Sequence, residues 1–279
     1  MRTDARKMKP SEKLSYIILV VFSIFCILPL LWQLSTSFKL LPEIMNNSTS
    51  IIPKEFTWEN YRNVFVGVGF SKYLLNSLIV SLLSMGISMI LSCPCAYAIV
   101  RFFPKISKQI TRYIIISYMF PPILLVVPYF SLLSSFKLTN NLIGLVIAYL
   151  SFTIPYCVWM LTGYFASITS SIEEASKIDG ANKFQTFYKI TLPLAAPGIV
   201  ATAIFAFINS WNEFLYSLVL ISSGSKKTVS VALYSLVGGE TLRYGEMMAA
   251  SVLVVLPSMI LFFVIQKRLV GGLTGGAIK

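Results

Sequence analysis

The chain has 279 residues, with 23 basic and 11 acidic side chains, no histidine, 56% apolar residues and only 12% charged ones. A soluble domain carries about a quarter charged residues to cover its surface, so this composition excludes an ordinary water-soluble globule and indicates a membrane protein. The lack of histidine removes the commonest general base and metal ligand, which argues against hydrolytic, redox or metal-dependent catalysis.

Uncharged runs cover residues 14–38, 73–100, 113–136, 138–172, 190–212 and 247–266. Each supplies the roughly 20 helical residues that cross a bilayer core of about 30 Å. They predict an all-α membrane protein with six transmembrane helices over 14–34, 73–100, 113–134, 142–165, 198–221 and 247–265. The chain then divides into a tail 1–13, the first helix 14–34, an outer segment 35–72 and a five-helix core 73–265. That core carries an inner loop 170–193 and an outer loop 222–245, and a tail 266–279 follows. The first run exceeds the apolar region of a secretion signal and lacks a small-residue cleavage site after it, so it is expected to stay as a helix. Fifteen of the 23 basic residues fall in the two tails and in the connections around 101–112 and 177–189. The bias of basic residues toward the cytoplasm therefore predicts that both termini are cytoplasmic. With positive charge placed by topology, no nucleic acid is expected as a partner.

Along the chain, the Asn46-Asn47-Ser48-Thr49 sequons fall on the expected outer side. Cys26, Cys93, Cys95 and Cys157 lie inside expected spans. Cys93 and Cys95 flank Pro94, yet no further soft ligand accompanies them, so they read as small buried apolar residues and no metal is expected. Pro29, Pro94, Pro121, Pro122, Pro128, Pro155 and Pro257 also fall within spans. Each bends its helix and frees a carbonyl, which membrane helices tolerate where neighbours or a wet cavity compensate. Together they favour a transporter or channel over a passive anchor.

In the inner loop, Ser170 with Glu173, or Ser171 with Glu174, forms a capping box that starts a short helix. Ile172, Ala175 and Ile178 share one face of it. Asp179-Gly180 predicts a turn in which glycine takes positive φ. A second amphipathic helix follows, with Phe184, Phe187 and Tyr188 opposite Lys183, Gln185 and Lys189. Leu192-Pro193 ends it, and Pro197 suits the first turn of the fifth span. Glu173, Glu174 and Asp179 balance three lysines, and this near-neutral charge favours a protein partner over a lipid surface. In the fifth span, Glu213 of Asn209-Ser210-Trp211-Asn212-Glu213-Phe214 lies roughly 22 Å from Gly198 along a helix. Two readings stand side by side. Asn209, Asn212 and Glu213 supply donors and acceptors for a polar solute, with Trp211 stacking on its ring; or Trp211 and Tyr216 sit in the aromatic belt and Glu213 snorkels outward, anchoring the helix at the interface.

Glu174-Ala175-Ser176, three residues, Gly180, nine residues and Ile190-Thr191-Leu192-Pro193 resemble the EAA loop of inner-membrane subunits of binding-protein-dependent ABC importers, with Ser176 in place of the second alanine. Thr57-Trp58-Glu59-Asn60-Tyr61, Asn76-Ser77, Trp211-Asn212-Glu213-Phe214-Leu215 and the tail Gly272-Leu273-Thr274-Gly275-Gly276-Ala277 are similar to the G-type sugar permeases of maltose transporters. The resemblance implies the type I ABC importer permease fold, in a multi-pass protein of the cell membrane. It also implies a permease subunit of an ATP-driven carbohydrate importer that forms half of the translocation path.

The partners so implied are a second homologous permease subunit, two ATPase subunits, an extracytoplasmic solute-binding protein that the 222–245 segment reaches, the lipid bilayer and a carbohydrate solute. The loop residues Glu173, Glu174, Ala175, Ser176, Asp179, Gly180, Ala181, Phe184, Phe187, Tyr188, Ile190, Leu192 and Pro193 would couple to the ATPase. Glu174 and Gly180 would fix the loop's shape, and Phe184, Phe187 and Tyr188 would fill pockets of the ATPase. Asn209, Trp211, Asn212 and Glu213 would border the substrate path. The chain contains no Gly-x-x-x-x-Gly-Lys-[Ser/Thr] phosphate loop, so it is expected to be non-catalytic and to hold no cofactor, ATP and Mg being bound by the partner ATPase. The alternatives are an ABC permease for a non-sugar solute and an ion-gradient-driven secondary transporter. The latter is expected to show midplane ion sites and an internal repeat.

Overall fold

The computed structural model describes residues 10–46, 50–237 and 243–274. Asn47 to Thr49 of the sequons, Gly238-Gly239, and Gly275-Gly276-Ala277 of the tail motif lie outside the described residues, as do the basic residues of the first nine positions. The chain divides into two units, one of Met1–Gly69 with Ser235–Leu253, the other of Phe70–Tyr234 with Val254–Lys279.

In the first unit, α1 (Pro10–Ser37) leads to two short helices, α2 (Leu41–Met45) and α3 (Glu59–Arg62), and a π-helical turn Asn63–Gly67. α1 is apolar all round, and side chains such as Phe22 and Phe25 stand exposed, as befits a helix facing lipid. The segment after it is tied by polar groups. Phe38 stacks on Phe56 with ring centroids 4.5 Å apart and meets Trp58 edge-on at 5.0 Å. The Asn60 side-chain amide donates to the Ser37 and Lys39 carbonyls at 3.0 and 2.8 Å. Buried Lys39 donates to the Ser50 carbonyl and lies 4.8 Å from the Trp32 ring centre.

The second unit is built on α4 (Phe70–Phe102), α5 (Ser107–Tyr118), α6 (Pro122–Ser135) and α7 (Leu142–Ser167). The loop region adds α8 (Ser170–Ile178), α9 (Lys183–Gln185), a π-helical turn Thr186–Thr191 and α10 (Leu192–Leu194). Beyond these come α11 (Ala196–Asn212), α12 (Leu215–Leu220) and parts of α13 (Val229–Val237) and α14 (Tyr244–Thr274). α4 packs on α7, and α11 packs on both. The buried stripe of α4 is Ser77, Ser81, Ser84, Ser88, Ser92 and Ala96. Small side chains at every third or fourth position let backbones approach closely where no hydrophobic force drives helices together. Ser88 Oγ meets Thr153 Oγ1 of α7 at 2.6 Å. At Gly198 of α11 the approach is tighter still, since a Cβ there would enter the Tyr164 ring.

Among the described residues, four helices are long and apolar enough to cross a membrane: Glu12–Ser37, Phe70–Phe102, Leu142–Ser167 and Tyr244–Phe263. Two bent pairs complete six candidate spans when each pair is taken as one. Here the structure departs from the straight spans expected at 113–134 and 198–221. α5 and α6 meet at 83°. Pro121 and Pro122 sit at the corner, and neither has an N–H to continue the helical ladder. α11 ends at Asn212, Glu213 is extended (φ −64°, ψ 133°), and α12 restarts the helix at Leu215. At its other end, the segment Lys183–Leu194 turns 75° into α11.

Candidate functional site

The loop between α7 and α11 is organised around one buried carboxylate. Glu173 is 4% exposed, and its Oε1 lies 2.8 Å from Arg101 Nε at the end of α4. Thr191 Oγ1 donates to the same oxygen at 3.1 Å, and the Tyr97 hydroxyl donates to Oε2 at 3.2 Å. Arg101 also donates to the Ile168 carbonyl at 2.8 Å, so one guanidinium joins α4, the end of α7 and α8. A buried charge is stable only when paired and hydrogen-bonded, and here three donors converge on the carboxylate. This use of Glu173 corrects both expected capping boxes. α8 starts after Thr169 with no side-chain cap: Glu173 faces the bundle and cannot reach back, and Ser170 and Ser171 both lie within the helix, past the cap position. The capping box lies instead at Asn182 and Gln185, ahead of α9, with bonds of 2.8 and 2.9 Å.

Ser176, the departure from the EAA pattern, is buried, and its hydroxyl meets Thr186 Oγ1 at 3.0 Å. It therefore fastens α8 to the π-helical turn. Gly180 has φ +87° and nothing near an added Cβ, so conformation alone requires glycine there. Ala181 N donates to the Ser176 carbonyl at 2.9 Å and Gly180 N to the Lys177 carbonyl at 3.1 Å, a Schellman closure of α8. Asp179, at the end of α8, is exposed, as are Glu174 and Ala175.

Ile172, Ala175 and Ile178 do share a face, and it is the outward one, with Ile178 87% exposed. Phe184 and Tyr188 stack outward with centroids 5.6 Å apart and are 71% and 59% exposed. Phe187 departs from the expected three-residue face. It packs inward, 4.8 Å from the Tyr97 ring and 6.5 Å from that of Phe165. At about 100° per residue Phe187 lies well around the helix from Tyr188, so Tyr188 can face out while Phe187 faces the bundle. Ile190 and Leu192 are half-buried, Leu192 against the same cluster, and Pro193 is exposed in α10.

The second candidate region lies where α11 breaks. A cavity of about 400 Å³ is lined by Asn209, Asn212 and Glu213, by Ser151 and Phe152 of α7, by Tyr216 of α12, and by the corner between α5 and α6. Asn209 and Asn212 are three apart and share a helical face. Glu213 does not point away as an interfacial anchor. Its two carboxylate oxygens accept the Tyr216 and Ser217 N–H groups at 2.7 and 3.2 Å, which satisfies the first turn of α12. Trp211 is a correction. It is 1% exposed, stacks on Phe207 at 5.7 Å and donates Nε1–H to the Val254 carbonyl at 3.1 Å. About 100° around the helix from Asn212, it points into the bundle and leaves the cavity. The aromatic rings at the cavity are Phe152 and Tyr216, stacked at 6.1 Å, together with Tyr118 and Phe120. Of these the sequence singles out only Tyr216, as an interfacial anchor, because no local spacing joins residues 118, 152 and 216.

Residues 84–274 match the family model described as the inner membrane component of binding-protein-dependent transport systems. The chain is 34% identical to a diacetylchitobiose uptake system permease protein of Streptomyces coelicolor, over 95% of this chain and 88% of that one. It is 35% identical to a trehalose transport system permease protein of Mycobacterium tuberculosis, over 91% and 93% of the two chains. In fold it is similar to a chain of a bacterial ABC transporter that imports the acidic polysaccharide alginate, with a TM-score of 0.75, 21% identity, and coverage of 96% of this chain and 99% of that one.

Proposed function

The chain belongs to the family of inner-membrane components of binding-protein-dependent transport systems, and we propose that it is the membrane-spanning permease subunit of an ATP-driven importer of sugars or oligosaccharides. It is a multi-pass protein of the inner membrane. The carbohydrate class is supported by the diacetylchitobiose and trehalose systems of its relatives. The cavity at the α11 break suits such a solute, with amide and hydroxyl groups for its hydroxyls and Phe152 and Tyr216 as apolar surface. Asn209, Asn212 and Glu213 would border the substrate path, with Glu213 acting chiefly through the helix turn that it caps.

ATP and Mg would be bound by two partner ATPase subunits, and this chain would supply neither nucleotide site nor catalytic group. A second homologous permease would form the other half of the path, and an extracytoplasmic binding protein would deliver the solute near the 222–245 segment. Both termini and the 170–193 loop would then be cytoplasmic.

The observation that carries this reading is a loop held rigidly on one side and apolar on the other. Glu173 and Phe187 fix it to α4 and α7 and Ser176 ties its two halves together, while Ile172, Ile178, Phe184 and Tyr188 stand outward. Such a surface serves as a coupling element, because closure of an ATPase groove around it would move the end of α4 through Arg101 instead of bending the loop. Replacing Phe184 and Tyr188 by serine should abolish co-purification of the ATPase and ATP-dependent uptake while the permease still inserts and folds. Undiminished recovery of the ATPase with that variant would refute the coupling surface.

A further inference from the structure

Between α5 and α7, apart from the cavity at the α11 break, lies a second hollow of about 640 Å³. Ser107, Lys108, Thr111 and Arg112 of α5 face it, with Trp159 and Thr162 of α7 opposite. Residues at i, i+1, i+4 and i+5 form one stripe of a helix, and this stripe carries two cations and two hydroxyls. No carboxylate is among the lining residues. Among the described residues neither Lys108 nor Arg112 has an ion-pair partner, whereas Arg101 nearby in the chain is committed to Glu173.

The rest of α5 is largely apolar, with Gln109 as a polar exception. Ile110 and Ile114 pack into the cluster formed by α4 and α7. Ile106, Tyr113 and Ile116 are 49%, 71% and 53% exposed, so the basic stripe borders greasy surface. Two cations unpaired among the described residues, with the Thr111 hydroxyl between them, match the chemistry of a phosphate monoanion or diester. A basic pocket beside exposed apolar side chains is also where a membrane protein holds an acidic headgroup, with the acyl chains running along the neighbouring face.

We propose that the α5–α7 hollow is an anion site for a phosphate group, carried by an acidic phospholipid or by free phosphate. Lys108 and Arg112 bind the charge, Thr111 donates to one of its oxygens, and Trp159 forms the apolar wall. The site tunes how firmly α5 is held against α7, and α5 leads directly into the 83° corner.

The test uses the complete transporter with all its subunits in nanodiscs. Native mass spectrometry compares retention of phosphatidylglycerol with that of phosphatidylcholine. A thermal-shift arm adds millimolar inorganic phosphate to phosphatidylcholine discs. Preferential retention of phosphatidylglycerol, weakened ~tenfold or more by the double variant Lys108→Gln/Arg112→Gln and unchanged by Lys105→Gln, supports the site with a lipid as its source. A thermal shift with inorganic phosphate that the double variant abolishes supports it with a soluble source. If neither arm distinguishes the anion, or if Lys105→Gln has the same effect as the double variant, the site is overturned. Should the double variant fail to assemble, Thr111→Val decides: reduced anion binding upholds the site, and unchanged binding overturns it. Failure here leaves the permease reading intact, because that reading is tested by ATPase recovery.

Discussion

Glu173 and Glu213 are two acids in one helical unit, and they are satisfied in opposite ways. Glu173 draws its partners from far along the chain, Arg101 and Tyr97 on α4 and Thr191 beyond the loop. Glu213 accepts its hydrogen bonds of good geometry from the backbone three and four residues ahead, with the buried Tyr149 hydroxyl of α7 beside it. The first arrangement locks separate elements together, so any force on the loop reaches α4. The second serves a break in one helix and leaves the neighbouring Asn209 and Asn212 free to face the cavity. A long-range ion pair transmits motion, whereas a local cap permits a discontinuity.

Breaking the long-range pair should have the largest effect. Arg101→Met strands a carboxylate that is 4% exposed, and such a loss costs about 3–5 kcal/mol. The purified subunit should unfold at a markedly lower denaturant concentration, and unchanged stability would show that Glu173 does not depend on Arg101. Next comes Gly180→Val. The open space around Gly180 leaves only the φ of +87° to oppose a side chain, and a β-branched residue there costs on the order of 1–3 kcal/mol. Asn, which tolerates left-handed backbone, should restore most of that loss in the same melt.

Glu213→Ala removes acceptors from two backbone N–H groups and should cost about 1 kcal/mol, the scale of a helix cap. Uptake assays should show weakened solute affinity as α12 loosens, with Glu213→Gln intermediate; full affinity in the alanine variant would separate the cap from the substrate path. The smallest effect is a gain. Lys137 closes α6 at φ 56°, with Leu138 N donating to the Leu133 carbonyl at 2.8 Å and Lys137 N to the Ser134 carbonyl at 3.0 Å. It holds the same left-handed position that Gly180 holds after α8, but with a side chain. Lys137→Gly should raise stability by roughly 1 kcal/mol, read as a higher melting temperature.

The apolar runs made the long helices legible, and the EAA spacing located the loop with its positive-φ glycine. Composition and local spacing suffice for such features, since length and turn chemistry are local. The inward turn of Phe187 was not legible, because the rings that receive it, Tyr97 and Phe165, lie far earlier in the chain. Arg101 read as a topology charge, since its partner is 72 residues away. Trp211 sat in the right motif on the wrong face, and only the position of Val254 reveals where its N–H goes. Pro121 and Pro122 announced a bend, whereas its 83° sharpness depends on tertiary packing.

The double-proline corner carries a consequence for hydration. With Pro121 and Pro122 unable to donate, the carbonyls of Ser117 and Tyr118 lose their regular helical partners, and Phe120 N reaches Ser117 O only at 3.4 Å. Carbonyls without helical partners need a polar neighbour or water, and if the cavity they border is the solute path proposed above, it would hold water between cycles. An arriving polyol would then exchange one set of water contacts for another instead of entering a dry throat, which lowers the desolvation barrier to passage. The same moisture makes a tight seal elsewhere along the path obligatory if small ions are not to leak.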